Sequence, residues 1–437
     1  MDIAVLGGGI SGISAAFLLQ ELKNRSNLDI NIKLFEKNIR WGGSIVTSHE
    51  DLFTIEGGPN GFLDSKPHTL ELIKMAGLSE QLLPSNELAR KRYIMRNGIL
   101  HRLPENPPAF LKSSLLTFKG KMRILSEIFI KKSELDDESV ADFARRRLGE
   151  EALDYLIGPM VSGIFAGDPE KMSLRSCFPV IRDLELTYGG LFKGMFKKRS
   201  KKSGPAGPGG ILTSYKNGLS NLILGLVNKL INVDKYLNTE IYSLKKSGSK
   251  YILNSSVGDF IFDKIICTLP SYTLSNILYN LNPDLSIKLG NIVYAPAFVV
   301  GFVFKGDDIE DPLDGFGYLI PNKENRKILG ALYDSSIFPE RCKDGYKMVR
   351  VIMGGDKNRW VMEKSDEDLV TMAYNDIKET LKIKSTPVMY KTFRWGKAIP
   401  QYYLSHYKIV EAVEQFCNAN EGLYIGGNIL YGVGLND

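Results

Sequence analysis

Three glycines and a carboxylate carry the first chemistry legible in the chain. Gly7, Gly9 and Gly12 stand in the order Gly-x-Gly-x-x-Gly, with Gly8, Ile10 and Ser11 filling the turn, and Glu36 ends a later apolar run. In such a turn the first glycine permits a tight bend, the second lets backbone approach a pyrophosphate, and the third lets a helix pack on its strand. A carboxylate in the position of Glu36 accepts hydrogen bonds from both hydroxyls of an adenosine ribose. Lys37 follows, then Arg40, whose guanidinium suits a phosphate, and Gly42, Gly43 and Ser44, where backbone approaches a ligand closely. A second glycine turn, Gly57-Gly58-Pro59-Asn60-Gly61, comes directly after Phe53-Thr54-Ile55-Glu56.

These groups need a strand, a turn and a helix to hold them. Ile3-Ala4-Val5-Leu6 reads as a buried parallel strand, residues 13–23 as a helix free of Pro and Gly, and Ile30-Asn31-Ile32-Lys33-Leu34-Phe35 as a second strand. The helix N-terminus then presents unpaired N–H groups to phosphates.

The 437 residues exceed one ordinary hydrophobic core, so two or three subdomains are expected. No run reaches the length of a spanning helix; the longest uncharged stretch, residues 289–304, contains Pro296 and reads as buried strand. A nucleotide strand beginning at residue 3 leaves no room for a secretory leader. The four cysteines (Cys177, Cys267, Cys342, Cys417) and four histidines are scattered, which argues for reduced thiols and against a metal site. A net charge of +6 is concentrated in residues 192–202, where Lys and Arg interleave with Phe and Met. No nucleic-acid motif accompanies that run; a solvated loop or an anionic membrane surface suits it.

Farther along, residues 88–103 predict a hairpin turning at Asn97-Gly98. Residues 110–191 are helical in character, with one helix ending at Gly158-Pro159. Ser162-Gly163-Ile164-Phe165-Ala166-Gly167-Asp168 is too glycine-rich for a helix interior and too apolar for a surface loop, which suggests a cavity wall. Residues 203–210 form a Gly/Pro linker. Ile265-Ile266-Cys267-Thr268-Leu269 suits a parallel strand rejoining the first sheet, and residues 291–353 predict an antiparallel sheet covered by a helix over 365–381. A last buried strand, residues 422–428, ends in glycines.

Glu36-x-x-x-Arg40-x-Gly42-Gly43 resembles the adenine-dinucleotide signature of flavin amine oxidases, which hold FAD. Lys91-Arg92-Tyr93, Gly163-Ile164-Phe165-Ala166-Gly167-Asp168, Leu174-Arg175-Ser176-Cys177-Phe178-Pro179, Gly315-Phe316-Gly317-Tyr318-Leu319-Ile320-Pro321, Ile399-Pro400-Gln401-Tyr402 and Gly432-Val433-Gly434-Leu435-Asn436-Asp437 occur in that order. Together they resemble the oxygen-dependent, FAD-containing protoporphyrinogen/coproporphyrinogen oxidase family, from the first strand to the last residue.

The resemblance implies an α/β protein: a Rossmann-type FAD-binding domain, an α+β substrate domain with an antiparallel sheet, and a helical membrane-associating region. It divides the chain into FAD-binding parts at 1–86, 204–276 and 395–437, substrate parts at 87–109 and 277–394, and the helical region at 110–203. It implies six-electron oxidation of protoporphyrinogen IX, with FAD taking hydride and oxygen re-oxidising it to hydrogen peroxide, so no catalytic side chain is expected. Arg92 is implied to pair with a substrate propionate, and Gly163, Phe165 and Gly167 to line the cavity, with Phe298, Leu332 and Phe338 as further candidates. The FAD contacts implied are Gly7, Gly8, Gly9, Ile10, Ser11, Gly12, Glu36, Lys37, Arg40, Gly43, Ser44, Gly58, Pro59, Asn60, Gly61, Ile241, Asn428, Val433, Gly434 and Leu435. A helix is implied after Asp437. The implied partners are the porphyrinogen, oxygen, the cytoplasmic face of a membrane, a ferrochelatase and a second copy in a homodimer. Coproporphyrinogen III remains an alternative substrate, more distantly a carotenoid or amine, and an inactive flavin-binding membrane protein is the non-catalytic alternative.

Overall fold

The computed structural model describes residues 1–197 and 209–437; residues 198–202 of the basic run and 203–208 of the linker lie outside the described residues. Along the chain, the elements that build the site begin with β1 (Asp2–Leu6), α1 (Ile10–Ser26), β2 (Asn31–Phe35) and β3 (Phe53–Glu56). A hairpin of β4 (Arg92–Arg96) and β5 (Ile99–Arg102) follows, with positive φ at both Asn97 and Gly98, as expected. The helical region contributes α2 (Phe118–Leu125), α3 (Val140–Arg147), α4 (Gly158–Phe165), α5 (Pro179–Tyr188) and α6 (Leu191–Lys197). Then come β6 (Val233–Tyr236), β7 (Lys264–Cys267), β8 (Tyr294–Lys305), β9 (Gly317–Leu319), β10 (Ile328–Leu332) and β11 (Tyr346–Gly354). The last are α7 (Asp366–Leu381), β12 (Met389–Pro400), α8 (His406–Ala419) and β13 (Leu423–Ile425).

The first sheet is parallel throughout, in the order β6-β2-β1-β7-β13. β1 is buried on both faces, which is why it reads as a continuous apolar run. Ile3 and Val5 meet Ile13, Ala16 and Phe17 of α1, while Ala4 and Leu6 meet Ile265, Leu274 and Ile277 on the other side. β7 pairs with β1 as the sequence predicts.

The second sheet runs β12-β8-β11-β10-β9-β4-β5, antiparallel except for the β9–β4 pair. Its alternation is strict enough to assign faces. Phe298, Val300, Phe302, Phe304, Val349, Val351 and Met353 turn to one side and pack under Leu369, Ala373 and Ile377 of α7. The opposite face meets β3 and the loop after it, where a Cβ on Gly301 would come 2.5 Å from Ile55. Ser365 caps α7 by accepting from the Asp368 N–H, and three acidic residues follow in its first turn.

The helical region corrects one expectation. Gly158-Pro159 does not end a helix: residues 153–157 form a π turn, and α4 starts at Gly158 with Pro159 in its first turn. The missing N–H of a proline costs nothing there. Ser162, Gly163 and Phe165 are therefore helical, and the chain turns only at Ala166, which takes a left-handed φ of 48°. Among the described residues, no helix is long and apolar enough to cross a membrane.

Candidate active site

The nucleotide end forms where β1 enters α1. A Cβ on Gly12 would lie 1.9 Å from the Gly7 carbonyl oxygen, so only glycine lets the helix sit this close to the strand. A Cβ on Gly9 would meet nothing within 4 Å, and Gly9 is the N-cap of α1 without a capping side chain. Open space over bare helix N–H groups is what a pyrophosphate needs. Ser11 and the Gly426-Gly427-Asn428 end of β13 border that space, with the Ser11 hydroxyl 4.0 Å from a Cβ on Gly427. Ile10 packs partly into the core behind it.

Glu36 is buried at the end of β2. Its Oε2 accepts from the Gly8 N–H at 2.8 Å and its Oε1 from the Asn38 N–H at 2.8 Å. Asn38 Nδ2 also donates to Oε1 at 2.5 Å, so three bonds fix the carboxylate and Oε2 keeps a lone pair for a ribose hydroxyl. Ile241, a buried residue beside Phe35, follows Thr239, whose N–H bonds the Glu36 carbonyl at 2.9 Å. Lys37 and Ser44 are exposed. Arg40 departs from its expected role of reaching for phosphate. Its Nη1 lies 3.3 Å from the carbonyls of Trp41 and Ile45, and its Nη2 donates to that of Gly43 at 2.6 Å. Its donors shape the glycine loop, which comes within 3.3 Å of Gly9 as measured from a Cβ on Gly43.

The second glycine turn is wedged between the two sheets. Cβ atoms on Gly58 and Gly61 would strike the carbonyl oxygens of Ser44 and Thr213 at 2.0 and 2.4 Å, and one on Gly57 would strike the Phe393 ring. Around it lies a buried network that sequence reasoning missed. Arg350 Nη1 donates to the carbonyls of Glu56 (3.0 Å) and Gly58 (3.2 Å), and its Nε lies 3.1 Å from Asp334. Arg341 pairs with Glu56 at 3.2 Å and donates to Ser214 Oγ and the Tyr215 carbonyl, both at 2.6 Å. Asn60 lies 3.4 Å from both Asp334 and Arg341. Pro59 is held between these anchored residues. Burial raises the pKa of Glu56 and of Asp334, and the neighbouring arginines oppose the rise. An arginine inside the apolar run Met348-Val349-Arg350-Val351 was the available signal.

One face of the second sheet follows from strand register. Arg92 pairs with Gly317, Gly317 with Leu332, Leu332 with Arg350, and Arg350 with Gly301, so these five share one face of the sheet. That face is the one against Gly57 and Gly58. Arg92 is half-buried, its guanidinium 5.4 Å from the Phe316 ring; burial lowers its pKa and Glu105 opposes this. Gly163 is exposed on α4, and a Cβ there would come within 3.0 Å of Leu319 on the same sheet face. Leu332 packs with Phe338 and Phe316 near Arg92.

Three expected cavity residues are placed elsewhere. Phe298 is fully buried on the α7 face, because strand alternation turns it away from the face that carries Gly301 and Arg350. Phe165 is buried against Phe178 and Tyr402 inside the helical region. Gly167 is packed against Gln401 and Met172. The α4 residues that remain exposed are Gly163 and Ile164.

The chain end closes the site. Tyr402 is fully buried, its hydroxyl 2.6 and 2.9 Å from the carbonyls of Asn428 and Gly432, and His406 stacks on it at 4.3 Å. Leu435 packs into the core beneath α1, and Asn436 Nδ2 donates to the Leu63 carbonyl at 2.9 Å. Val433 packs against the cluster around Phe165 and Tyr402, and the Gly434 N–H donates to Asp437 Oδ2 at 3.0 Å.

A family model described as flavin containing amine oxidoreductase matches residues 10–430. The chain belongs to that family. Its cofactor is FAD, and the residues present fit it: an uncapped α1 N-terminus over open space, a fixed carboxylate at Glu36, and glycine turns packed too tightly for any side chain. The protein is an oxidoreductase. It is 31% identical to coproporphyrinogen III oxidase of Bacillus subtilis (strain 168), over 100% of this chain and 95% of that protein. It is 30% identical to protoporphyrinogen oxidase 2 of Arabidopsis thaliana, over 98% of this chain and 89% of that one. A crystal structure from Exiguobacterium sp. 255-15, named as a candidate protoporphyrinogen oxidase, superposes with a TM-score of 0.83 at 26% identity, covering 100% of this chain and 95% of that one.

Proposed function

We propose that this flavoprotein oxidises protoporphyrinogen IX to protoporphyrin IX. Six electrons and six protons leave the macrocycle in three two-electron rounds, and three molecules of oxygen become three of hydrogen peroxide. FAD, when bound, supplies the hydride acceptor at each round. The chain's own residues hold the substrate. Arg92 grips a propionate bidentately, and the sheet face bearing Leu332, with Gly163 of α4 opposite, receives the apolar ring edge. A meso hydride leaves readily because pyrrole nitrogens stabilise the cation left behind, so the site asks for orientation more than for an acid or base. The observation that carries this reading is the register that puts Arg92 on the face turned to the flavin-side loop. The name of the Bacillus subtilis relative favours a second reading, coproporphyrinogen III, with four propionates. Side-by-side turnover of the two porphyrinogens separates them: faster turnover of protoporphyrinogen IX supports the first reading, the reverse order the second.

We also infer attachment to the cytoplasmic face of an anionic membrane through α2 and the turn after it. Phe118, Met122 and Leu125 share one side of α2 and are 79%, 49% and 42% exposed, and Phe129 is 84% exposed. Lys119, Lys131 and Lys132 are exposed beside them. Apolar side chains flanked by lysine suit the boundary between headgroups and acyl chains.

A further inference from the structure

Three consecutive carbonyls of the flavin-side loop are all taken by side chains of the substrate sheet. Arg350 donates to Glu56 O and Gly58 O, and the indole Nε1–H of Trp395 donates to Gly57 O at 2.8 Å. Both side chains project from the face that also carries Arg92. Arg350 is held in turn by Asp334, and the Phe393 ring lies where a Cβ on Gly57 would be. Mere stability does not call for this arrangement. A loop carbonyl can be satisfied by water or by neighbouring backbone, whereas here each one is keyed to the wall that would carry the substrate. A guanidinium with both Nη1 hydrogens used and its other edge on a carboxylate has little freedom left.

We propose that Arg350 and Trp395 are positioning residues that set the separation between the flavin-side loop and the substrate wall, and through it the geometry of hydride transfer. The proposal rests on the reading of the site given above. Neither residue touches the reacting atoms; they act through Glu56, Gly57 and Gly58. Displacement of reacting groups by about 1 Å costs on the order of a hundredfold in rate, so loosening the brace is expected to show in the chemical step.

The test uses the FAD-loaded protein with W395F, which keeps the ring and removes the donor, and R350K, which keeps the charge and removes the two-carbonyl grip. Four quantities are compared with wild type: FAD per protein, the visible circular dichroism of the bound flavin, KM, and the anaerobic rate of flavin reduction by protoporphyrinogen IX. Expected are full FAD content, KM within about twofold, an altered flavin dichroism, and reduction slowed about tenfold or more while dithionite reduces the flavin at the wild-type rate. Wild-type dichroism and reduction rate in both variants would overturn the proposal. So would loss of FAD in W395F, because the residue would then be structural. If the wild-type flavin is not reduced by porphyrinogen at all, the substrate reading fails, and the dichroism of the two variants still decides the brace: altered supports it, unaltered overturns it.

Discussion

Arg92 and Arg350 stand in one cross-strand row of the seven-stranded sheet, separated by Gly317 and Leu332, and face the same way. One arginine is half-buried and turned toward the proposed substrate space; the other is 2% exposed and bonded to the glycine loop after β3. A single sheet face thereby carries both the proposed substrate anchor and the proposed brace of the Glu56–Gly58 loop.

Arg92→Ala is expected to raise KM for the porphyrinogen about tenfold or more, with kcat and FAD content near wild type. A charge-assisted hydrogen bond contributes about 1.5–3 kcal/mol, which sets that scale. Steady-state kinetics and flavin absorbance per protein check it; loss of FAD from the variant would contradict the assigned role.

Gly12→Ala puts a methyl group 1.9 Å from a backbone oxygen that no rotamer can move. α1 must shift off β1, at a cost of roughly 2 kcal/mol or more. The purified variant is expected to lose most of its FAD and to melt earlier, and a fully yellow variant with unchanged melting would show that the contact relaxes freely.

His406 makes stability depend on pH. Burial holds it down to about 4, against 6.5 unfolded, so the folded protein keeps it neutral while the unfolded chain takes a proton. Its contribution is fully present above pH 6.5 and lost as pH falls toward about 4, amounting to about 3 kcal/mol. Because His406 stacks on Tyr402, which holds the carbonyls of Asn428 and Gly432, FAD release is expected over the same window. Urea midpoints at several pH values, for wild type and His406→Gln, measure this. The variant is expected to flatten the dependence.

Phe118→Ser together with Phe129→Ser is expected to weaken partition onto anionic vesicles at least tenfold per residue, since burying a Phe contributes about 1.5–3 kcal/mol. Flotation against wild type reads it, and equal flotation would move the contact elsewhere.

The nucleotide half of the site was legible in the sequence because its requirements are local. Gly7 to Gly12, Glu36 and Gly43 sit on contiguous strand, turn and helix, and the spacing alone brings them together. The substrate half depends on register across strands far apart in sequence. Arg92 is singled out by its motif and shares a face with Leu332 and Arg350, whereas Phe298, suitable by type, lies on the opposite face, a distinction of one residue in strand phase. Phe165 is buried because the helix runs on past Gly158-Pro159 to Ala166, and Gly167 follows the left-handed turn there into contact with Gln401 and Met172. Arg341 and Asp334 carry no local signal at all; only the packing of the two sheets brings them to Glu56 and Arg350.

Oxidation of a porphyrinogen at this site can be read directly. The direct measurement is porphyrin fluorescence over time when the FAD-loaded protein is mixed with protoporphyrinogen IX in air, against an enzyme-free control. Fluorescence is expected to rise well above autoxidation, with about three molecules of oxygen consumed per porphyrin formed. A yellow, folded protein that leaves both protoporphyrinogen IX and coproporphyrinogen III at the control rate would contradict it.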